Sequence, residues 1–437
     1  MHVIIIGAGW AGLAAAIELS RADIRVTLIE AAGQAGGRAR CVETQGMAFD
    51  NGQHLMLGAY SEMLRLLHII GIPEERAVHR RPLRLEMRTP HQEDICIEFP
   101  ALPAPWHVVA GFARAKGLSG SERYRALALC TKLFFSGFRL GKDLSVAAWL
   151  HSARQPVRLI KALWEPLCLA AMNTPLDQAS ARIFIRVLHE AFAGKRRDAD
   201  MLFPRTDLGA VFPEPALRFI REHGGMLRFR ERVNSLEIND GRIAGVATRQ
   251  GVVRADHIII ATAPSESLRL MKPHPLLHDI GRQLALLRYE PICTVYLQYP
   301  PDIRLGCEML GLLEGTGQWL LDLGNTGHPG RMAVVISGPG THMARDNTAL
   351  SDDVARQISI HFPHWPAPSH RLVIREKRAT FSCRTDVATI RPGTRTPVTG
   401  CWLAGDYTDT GLPATLEGAL RSGVRAARGI MGTDGGA

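Results

Sequence analysis

The sequence lacks the patterns by which a chain crosses a membrane, holds a metal ion or closes disulfides. None of its hydrophobic runs reaches the roughly 18 residues that span a bilayer, so we expect any membrane contact to be peripheral. The 8 cysteines form no CxxC pair and show no metal-ligand spacing with histidine. We therefore expect no metal site, no disulfide framework, and the reduced thiols of a cytoplasmic protein.

Acidic residues are fewer than basic ones, and aromatic residues are scarce. The 42 Asp and Glu against 52 Lys and Arg leave a formal charge of +10, and aromatic side chains make up 6% of the chain. No basic run is interleaved with aromatics, which argues against a nucleic-acid site. The excess charge favours an anionic partner, unless scattered arginines only keep the surface soluble.

The rest of the composition is that of a folded chain. Hydrophobic residues account for 46% of the 437 residues and charged ones for 22%, with no low-complexity tract. A chain of this length is too long to fold around one simple hydrophobic core, so two interleaved domains are expected.

The first thirty residues predict a βαβ unit that binds a dinucleotide. An apolar run over residues 3–6 indicates a buried parallel strand, and Gly7, Gly9 and Gly12 follow it in the pattern GxGxxG. Gly7 permits a tight turn, Gly9 lets the backbone approach a pyrophosphate, and Gly12 allows close helix packing. The helix-forming LAAAIELSRA and the strand RVTLIE come next. The strand ends at Glu30, whose carboxylate can accept hydrogen bonds from ribose hydroxyls.

A pair of glycines and an arginine follow this unit. Gly36, Gly37 and Arg38 come soon after the second strand. The glycines let the chain pass beside a cofactor. The planar Arg38 guanidinium offers paired N–H donors whose geometry matches two oxygens of a phosphate. This segment favours FAD over NAD, which the βαβ unit alone does not separate.

A second cofactor segment lies near the other end of the chain. The short strand 402–404 breaks at Gly405 and Asp406, which suits a ribityl hydroxyl and a pyrophosphate edge. A helix then begins near Thr415, with Leu416 at its start. We expect FAD to be bound without a covalent link, because this C-terminal segment contains no cysteine after Cys401.

These segments together resemble the FAD-dependent amine oxidase and carotenoid desaturase superfamily, with GAGWAGL, the Glu30 acid, GGR and LAGDY...EGAL in the same order. The resemblance implies that Val233, in RERVNSLEI, meets the adenine side of FAD through its backbone. A hairpin turning at Asp240 and Gly241 follows, and VRADHIIIATAP matches a further strand of the superfamily.

The fold implied is α/β, a Rossmann-like FAD-binding domain of the GR2 type with an interleaved α+β substrate domain. Residues 1–84, 200–270 and 396–437 would form the FAD-binding domain. Residues 85–199 and 271–395 would form a substrate domain that faces a membrane.

Within the superfamily the chain looks most like the bacterial hydroxysqualene dehydroxylases, formerly called squalene-associated FAD-dependent desaturases, of hopanoid biosynthesis. The segments DNGQHLMLGAY, WEPLCLAAMNTP and GQWLLD carry this likeness. It implies a reductive reaction in which reduced FAD converts hydroxysqualene to squalene and water. The expected partners are therefore a hydrophobic triterpenoid and an unidentified electron donor.

Three other functions stay open. A carotenoid or squalene desaturase would use the same fold in the oxidising direction, and a prenyl-lipid carrier of this fold would do no redox chemistry. An amine oxidase fits less well, because Thr415 and Leu416, rather than an aromatic residue, precede Glu417.

Removal of an allylic hydroxyl needs an acid for the departing water and a pocket that excludes water. His54 is the first candidate acid, because by family analogy its segment passes the flavin; its alternative is a structural role in the cofactor loop. Tyr407 and Asp409 are weaker candidates. Tyr407 alternatively packs on the flavin, and Asp409 caps the following loop.

Large side chains of the central segments are candidates for the substrate pocket. The candidates are Trp164, Met172, Asn173 and Trp319, because aromatic faces can stabilise a transient allylic cation while apolar walls exclude water. Core packing is the alternative explanation for the same residues.

Two segments, Phe99 to Leu118 and Arg125 to Leu140, combine apolar and basic residues at helical spacing. Such a pattern is typical of a helix that lies in the surface of an anionic membrane, or of a packed core helix. We expect the protein on the inner face of the cell membrane, because an insoluble C30 substrate would enter from a bilayer.

Overall fold

The computed structural model describes residues 1–44, 46–90 and 93–433. These residues form both strands and helices. Within these residues the strands are β1 (His2–Ile6), β2 (Arg25–Glu30), β3 (Cys41–Thr44), β4 (Met47–Asp50), β5 (Met56–Leu57), β6 (Val78–Arg81), β7 (Arg84–Arg88), β8 (Ile95–Glu98), β9 (Met201–Pro204), β10 (Met226–Phe229), β11 (Val233–Asn239), β12 (Arg242–Thr248), β13 (Gly251–Arg254), β14 (His257–Ile260), β15 (Tyr289–Gln298), β16 (Met309–Leu312), β17 (Trp319–Asp322), β18 (Arg331–Ser337), β19 (His370–Phe381) and β20 (Cys401–Leu403).

The helices of the same residues are α1 (Trp10–Arg21), α2 (Ser61–Ile69), α3 (Glu74–Ala77), α4 (Trp106–Ala113), α5 (Gly120–Phe135), α6 (Val146–Ser152), α7 (Val157–Leu159), α8 (Glu165–Met172), α9 (Ala181–Phe192), α10 (Leu208–Val211), α11 (Pro213–Glu222), α12 (Pro264–Met271), α13 (His278–Leu286), α14 (Asn347–His361), α15 (Val387–Ile390) and α16 (Leu416–Met431). A π-helical turn, Ile160–Trp164, joins α7 to α8. Short 3-10 turns lie at Arg196–Ala199, Pro275–Leu277, Leu323–Thr326 and Thr341–Ala344.

A parallel sheet of order β10-β2-β1-β14-β20 forms the half of the molecule that contains the glycine motifs. All residues of β1 are buried, as a continuous apolar run predicts for a strand covered on both faces. The α/β class and the Rossmann-like βαβ unit are confirmed. The five strands come from the three segments assigned to the FAD-binding domain by sequence, whose boundaries stay a prediction.

Glycines let α1 pack closely against the turn after β1 and let α16 pack closely against α1. A Cβ atom at Gly12 of α1 would collide with the carbonyl oxygen of Gly7, and one at Gly423 of α16 would collide with the carbonyl oxygen of Ala11. The N- and C-terminal segments of the chain therefore meet at one place, which brings their two motifs together.

The second large sheet has the order β19-β15-β18-β17-β16-β7-β8 and is antiparallel except where β16 meets β7. One of its faces packs against α14, through Leu350, Val354 and Ile358. Side chains of the alternate positions, such as Met309 and Leu321, point to the other side and line a cavity.

Three smaller sheets complete the fold, with the orders β11-β12-β13, β3-β4 and β5-β9-β6. The hairpin β11–β12 turns at Asp240 and Gly241, whose φ angles of 48° and 73° are those of a type I′ turn. This prediction is confirmed.

The segment from Phe99 to Leu118 is less helical than its residue spacing predicts. Only α4 forms there, because Pro100, Pro103 and Pro105 precede it and a helix interior excludes proline. The segment from Arg125 to Leu140 stops being helical at the end of α5. No helix in the described part of the chain is long and apolar enough to span a bilayer.

Candidate functional site

A cavity of about 720 Å³ lies between the parallel sheet and the seven-stranded sheet, and its wall has two chemically different parts. The part that we call the cofactor wall contains Gly7, Gly9, Glu30, Gly37, Arg38, Val233, Gly405, Asp406 and Leu416. The part that we call the apolar wall contains Leu167, Phe184, Leu188, Phe192, Ile292, Met309, Leu321 and Val335. The structure thus brings nine of the ten predicted cofactor residues to one surface. Gly12 lies behind it, in the packing of α1.

The glycine turn after β1 is held in a shape that only glycine adopts. Gly7 has a φ of +104°, and a Cβ atom there would lie 2.8 Å from the carbonyl oxygen of Ala261. Gly9 and Gly37 face each other, since a Cβ atom at Gly37 would lie 3.2 Å from the Gly9 Cα. No side chain of these glycines therefore covers the backbone where a cofactor would approach it.

Glu30 is fixed at the end of β2 by the backbone. Its two carboxylate oxygens accept hydrogen bonds from the N–H groups of Ala8, at 2.7 Å, and Ala32, at 2.8 Å. Each oxygen has two lone pairs, so the carboxylate keeps acceptor capacity for hydroxyl groups in the cavity.

Arg38 joins the two distant cofactor segments. Its Nη2 donates to Asp406 Oδ1 at 2.6 Å, and its Nη1 donates to the carbonyl oxygen of Ala379 at 2.6 Å. Arg38 was expected to contact a phosphate, and Asp406 a ribityl hydroxyl or a pyrophosphate edge. The structure pairs them with each other across 368 positions of the sequence.

The loop after β20 is organised by a buried arginine that the sequence reading missed. Arg391 donates to the carbonyl oxygens of Asp406, at 2.9 Å, and Leu412, at 2.7 Å. Burial lowers the pKa of its guanidinium. Nothing in its local sequence, TIRPGT, indicates this role, because its partners lie 15 and 21 residues away.

Tyr407 is 1% exposed, although part of it reaches the cavity. Its hydroxyl lies 3.0 Å from the Ser267 Oγ, and its ring packs on Gly405, where a Cβ atom would collide with it. Burial raises the pKa of Tyr407 above its usual value. Asp409 lies outside the cavity wall, is exposed, and accepts from the Gly411 N–H at 3.3 Å, which is the loop-capping role considered for it.

The helix α16 begins as predicted, with Thr415 as its N-cap. The Thr415 Oγ1 accepts from the Gly418 N–H at 3.0 Å, and Leu416 is the first helical residue at the cavity. Glu417 points elsewhere. Its carboxylate accepts from the Glu62 and Met63 N–H groups, at 3.0 and 3.1 Å, at the start of α2. Burial raises the pKa of Glu417.

Val233 lines the cavity at the start of β11, and its carbonyl oxygen already accepts a hydrogen bond. Arg269 of α12 donates to that oxygen at 2.6 Å. The residue is therefore fixed in position at the cofactor wall, where its adenine contact stays a prediction.

His54 lies in the cavity wall, close enough to Arg38 of the cofactor wall to feel its charge. Its Nδ1 donates to the carbonyl oxygen of Gly52 at 2.9 Å, because a carbonyl can only accept. Nε2 is then the free acceptor of the neutral ring. Burial lowers the pKa of His54 below its usual 6.5, and the Arg38 charge adds to this, although the bond to Gly52 acts in the opposite direction.

The loop that carries His54 is anchored to the seven-stranded sheet. Gln53 Nε2 donates to the Tyr296 hydroxyl at 2.9 Å, and that hydroxyl donates to the carbonyl oxygen of Asp50 at 2.7 Å. Gln53 lines the cavity and was missed, although it directly precedes His54. Glu376 also lines the cavity, 3.4 Å from the Asn51 amide, and its position in the charged strand β19 gave no signal.

The four predicted pocket residues have different positions. Trp319 lines the apolar wall, and its indole N–H has no hydrogen-bond partner among the described residues. Asn173 reaches the cavity but holds the scaffold, because it donates to Thr380 and Pro291 and accepts from the Gly338 N–H. Trp164 does not line the cavity. Its indole donates to Gln155 at 2.9 Å inside the core, so core packing accounts for it, and Met172 is likewise buried in the core.

Three ligand-type groups meet outside the cavity. Cys41, Asp50 and Asp207 place one atom each within 4.8 Å of one another. Both carboxylates are already engaged, Asp50 with the Leu208 N–H and Asp207 with the Ala210 N–H. Burial raises the pKa of Asp50 to about 7. We assign no metal to this group, and the expectation of no metal site stays a prediction.

Comparison with known proteins agrees with this geometry. A family model described as flavin containing amine oxidoreductase matches residues 10–431. Proteins named hydroxysqualene dehydroxylase from Zymomonas mobilis and Sinorhizobium fredii are 28% and 29% identical to this chain, covering 97% and 98% of it and 97% of each relative. A 15-cis-phytoene desaturase from an Oncidium hybrid is 24% identical, over 99% of this chain and 78% of its own.

Solved structures share the fold at lower sequence identity. An oxidoreductase from Methanosarcina mazei superposes with a TM-score of 0.76 at 16% identity, covering 99% of this chain and 100% of its own. Cyclohexylamine oxidase from Brevibacterium oxydans gives a TM-score of 0.72 at 18% identity, covering 98% of both chains.

Proposed function

Because this chain belongs to the family of flavin-containing amine oxidoreductases, we propose that it removes the allylic hydroxyl of hydroxysqualene reductively, giving squalene for hopanoid or other triterpenoid synthesis. The chain is an FAD-dependent oxidoreductase. The observation that carries the substrate assignment is the apolar wall, which lines the same cavity as the cofactor wall. Relatives named hydroxysqualene dehydroxylase support the same substrate.

The residues of the cofactor wall fit FAD. A side chain at Gly37 would enter the space beside Gly9, so this surface is kept clear, and the fixed Glu30 carboxylate lies on the same surface. We propose that Glu30 holds a ribose, that the glycine turn and Arg38 hold the pyrophosphate, and that Val233 and Leu416 flank the two ends of the cofactor.

The reaction requires two electrons and two protons for each alcohol: hydroxysqualene accepts them and becomes squalene and water. Reduced FAD, when bound, supplies the hydride. The chain must deliver a proton to the departing hydroxyl and exclude water from the allylic carbon. The apolar wall performs the second task, since its leucine, isoleucine and phenylalanine side chains offer water no partner.

We propose His54 as the group that delivers the proton. Its Nε2 is the atom available to the cavity, because Nδ1 is bound to the Gly52 carbonyl. Only the doubly protonated ring carries a proton on Nε2, and the lowered pKa makes this form the minority at pH 7. Proton delivery should therefore become faster as the pH falls.

Tyr407 is better suited to a positioning role. Its hydroxyl is bound to Ser267, and the raised pKa keeps it protonated. The ring supports the Gly405 turn, so we propose that Tyr407 shapes the loop on which Asp406 lies.

A membrane-facing surface is part of the same proposal. Between residues 99 and 161 the chain has 10 Lys and Arg against 2 Asp and Glu. The same segment exposes large apolar side chains: Trp106 is 62% exposed and Phe135 90%. The surface leads to the cavity, because Phe99 beside α4 packs on Phe192 of the apolar wall at 5.6 Å between ring centroids. We propose that this surface binds the anionic inner face of the cell membrane, from which the substrate enters.

An oxidative desaturase is the second candidate function. A phytoene desaturase matches nearly the whole chain, and the apolar wall would suit a carotenoid precursor equally well. Because desaturation needs no acid for a departing hydroxyl, a neutral His54 fits it too. The paired Arg38 and Asp406 argue against a carrier that has lost its cofactor site.

Product analysis tests this proposal. Photoreduced protein incubated without oxygen should convert hydroxysqualene to squalene, identified by mass, in an amount equal to the flavin present. If the alcohol is recovered unchanged while the flavin stays reduced, the dehydroxylase proposal is wrong.

A further inference from the structure

The strand β19 bulges outward beside the cofactor wall. Its pairing with β15 runs regularly to Ile292 and Glu376 and resumes at Glu290 and Thr380. One residue of β15 therefore faces three of β19, and residues 377–379 are pushed out of the ladder. Bulges of this kind re-aim side chains at the edge of a functional site.

The bulge carries two exposed, positively charged side chains without a carboxylate partner among the described residues. Lys377 and Arg378 are exposed, and neither forms an ion pair with a carboxylate in the described part of the chain. The Arg378 guanidinium lies 5.8 Å from the centre of the Tyr289 ring. Arg288 is also exposed, and its carbonyl accepts from the Ser382 N–H at 2.8 Å, which ties it to the end of β19.

The same bulge is in direct contact with the site. The carbonyl oxygen of Ala379 accepts from Arg38, and Glu376, Ala379 and Thr380 line the cavity on either side of the two cations. A charged and protruding surface thus lies one or two residues from the wall that holds the cofactor. A nearby leucine, Leu286, is 61% exposed and gives the surface an apolar edge.

We propose that Leu286, Arg288, Lys377 and Arg378 form the docking surface for a small acidic electron-transfer protein that reduces the bound flavin. We call these four residues the donor patch. The inference rests on the proposed function, because only an enzyme that reduces its substrate must receive two electrons from an external donor in each turnover. Two molecules of a one-electron carrier are oxidised for each squalene formed, and two protons come from solvent.

The size and charge of the donor patch fit such a partner. Electron-transfer complexes use small, short-lived interfaces, so a local patch of charge can guide the contact. Positive charge on one partner and negative charge on the other steer the encounter and raise its rate, most strongly at low salt. A patch beside the cofactor wall brings the partner's redox centre close to the flavin.

The test uses the FAD-loaded protein and a purified acidic [2Fe–2S] ferredoxin. K377E/R378E reverses two charges of the patch. R249E/R254E is the matched control, since Arg249 and Arg254 are exposed on the β12–β13 hairpin and form no ion pair in the described chain. Calorimetric titration measures binding, and stopped-flow absorbance measures flavin reduction by reduced ferredoxin without oxygen.

We expect K377E/R378E to weaken ferredoxin binding and slow flavin reduction by about tenfold or more at low salt, with the difference shrinking as salt is added. The control should match the unmodified protein. Dithionite should reduce all three proteins equally, and the prereduced K377E/R378E should convert hydroxysqualene in a single turnover at the unmodified rate.

Equal ferredoxin binding by both variants would overturn the proposal, as would direct reduction of the flavin by NADPH at a rate that ferredoxin does not exceed. Loss of binding to anionic vesicles by K377E/R378E, with ferredoxin reduction unchanged, would assign the patch to a membrane instead. Failure of prereduced, unmodified protein to convert the alcohol would contradict the proposed function and not the docking surface, which the binding titration tests separately.

Discussion

The cofactor wall and the apolar wall of the cavity are built in different ways. The cofactor wall consists of turns and backbone groups held by short hydrogen bonds, such as those of Glu30 to Ala8 and Ala32. The apolar wall consists of side chains from α8, α9 and four strands, which share no motif. A backbone site tolerates almost no change at a few positions, whereas a side-chain surface should lose function gradually.

The largest effect is expected directly behind the cofactor wall, where the packing of α1 leaves no room. Gly12→Ala places a methyl group against the carbonyl oxygen of Gly7 and should abolish FAD retention and lower the melting temperature. Gly120→Ala, at the start of α5 where no atom lies within 4 Å, is the matched control. Visible absorbance of the purified proteins and thermal unfolding measure the effect. A yellow Gly12→Ala protein of unchanged stability would contradict the close packing of α1.

The next largest effect is expected at His54, in the cavity wall. His54→Ala should slow dehydroxylation by about 10² or more with FAD still bound, because proton delivery is lost while the hydride donor is intact. His151→Ala, on the exposed end of α6, is the control. Loss of FAD from His54→Ala would show that His54 supports the cofactor loop instead.

The pH profile is a second readout for His54. Its pKa is lowered, so the charged ring is scarce at pH 7 and becomes about tenfold more abundant for each unit of pH decrease until the pKa is reached. Dehydroxylation by the unmodified protein should rise over that range, and the rise should vanish in His54→Ala. A profile that is the same in both proteins would exclude His54 as the acid.

A smaller effect is expected from a single side chain of the cofactor wall. Glu30→Ala should weaken FAD binding by roughly 1.5 to 3 kcal/mol, the value of charge-assisted hydrogen bonds. Glu43→Ala, which removes an exposed carboxylate of β3, should have no effect. Flavin fluorescence titration of the apoproteins measures both. Unchanged affinity in Glu30→Ala would remove Glu30 from the cofactor site.

The smallest effect is expected on the membrane-facing surface, where many residues share the contact. Trp106→Ser with Phe135→Ser should weaken binding to anionic liposomes several-fold, and added salt should release the unmodified protein. Ile360→Ser, which changes a half-exposed residue of α14, is the control. Equal sedimentation with neutral and anionic liposomes at any salt would eliminate the electrostatic part of the proposal.

Features set by neighbouring residues could be predicted from the sequence, whereas features set by residues distant in sequence could not. The βαβ unit, the hairpin turn at Asp240 and the start of α16 were predicted because each depends on neighbouring residues. Arg391 and the Arg38–Asp406 pair were not, since their partners are distant in sequence. Trp164 was assigned to the pocket on side-chain chemistry alone, and its partner Gln155 is instead in the core. An aromatic residue has the same local signal in a core and in a cavity wall.

The direction of electron flow is the most direct test of the account. Oxygen-free stopped-flow absorbance of the flavin should show that hydroxysqualene reoxidises the photoreduced protein rapidly and that squalene leaves the oxidised protein unchanged. A desaturase would give the reverse. Rapid reduction of the oxidised flavin by squalene, with no reoxidation by the alcohol, would contradict the dehydroxylase assignment and establish the oxidative function.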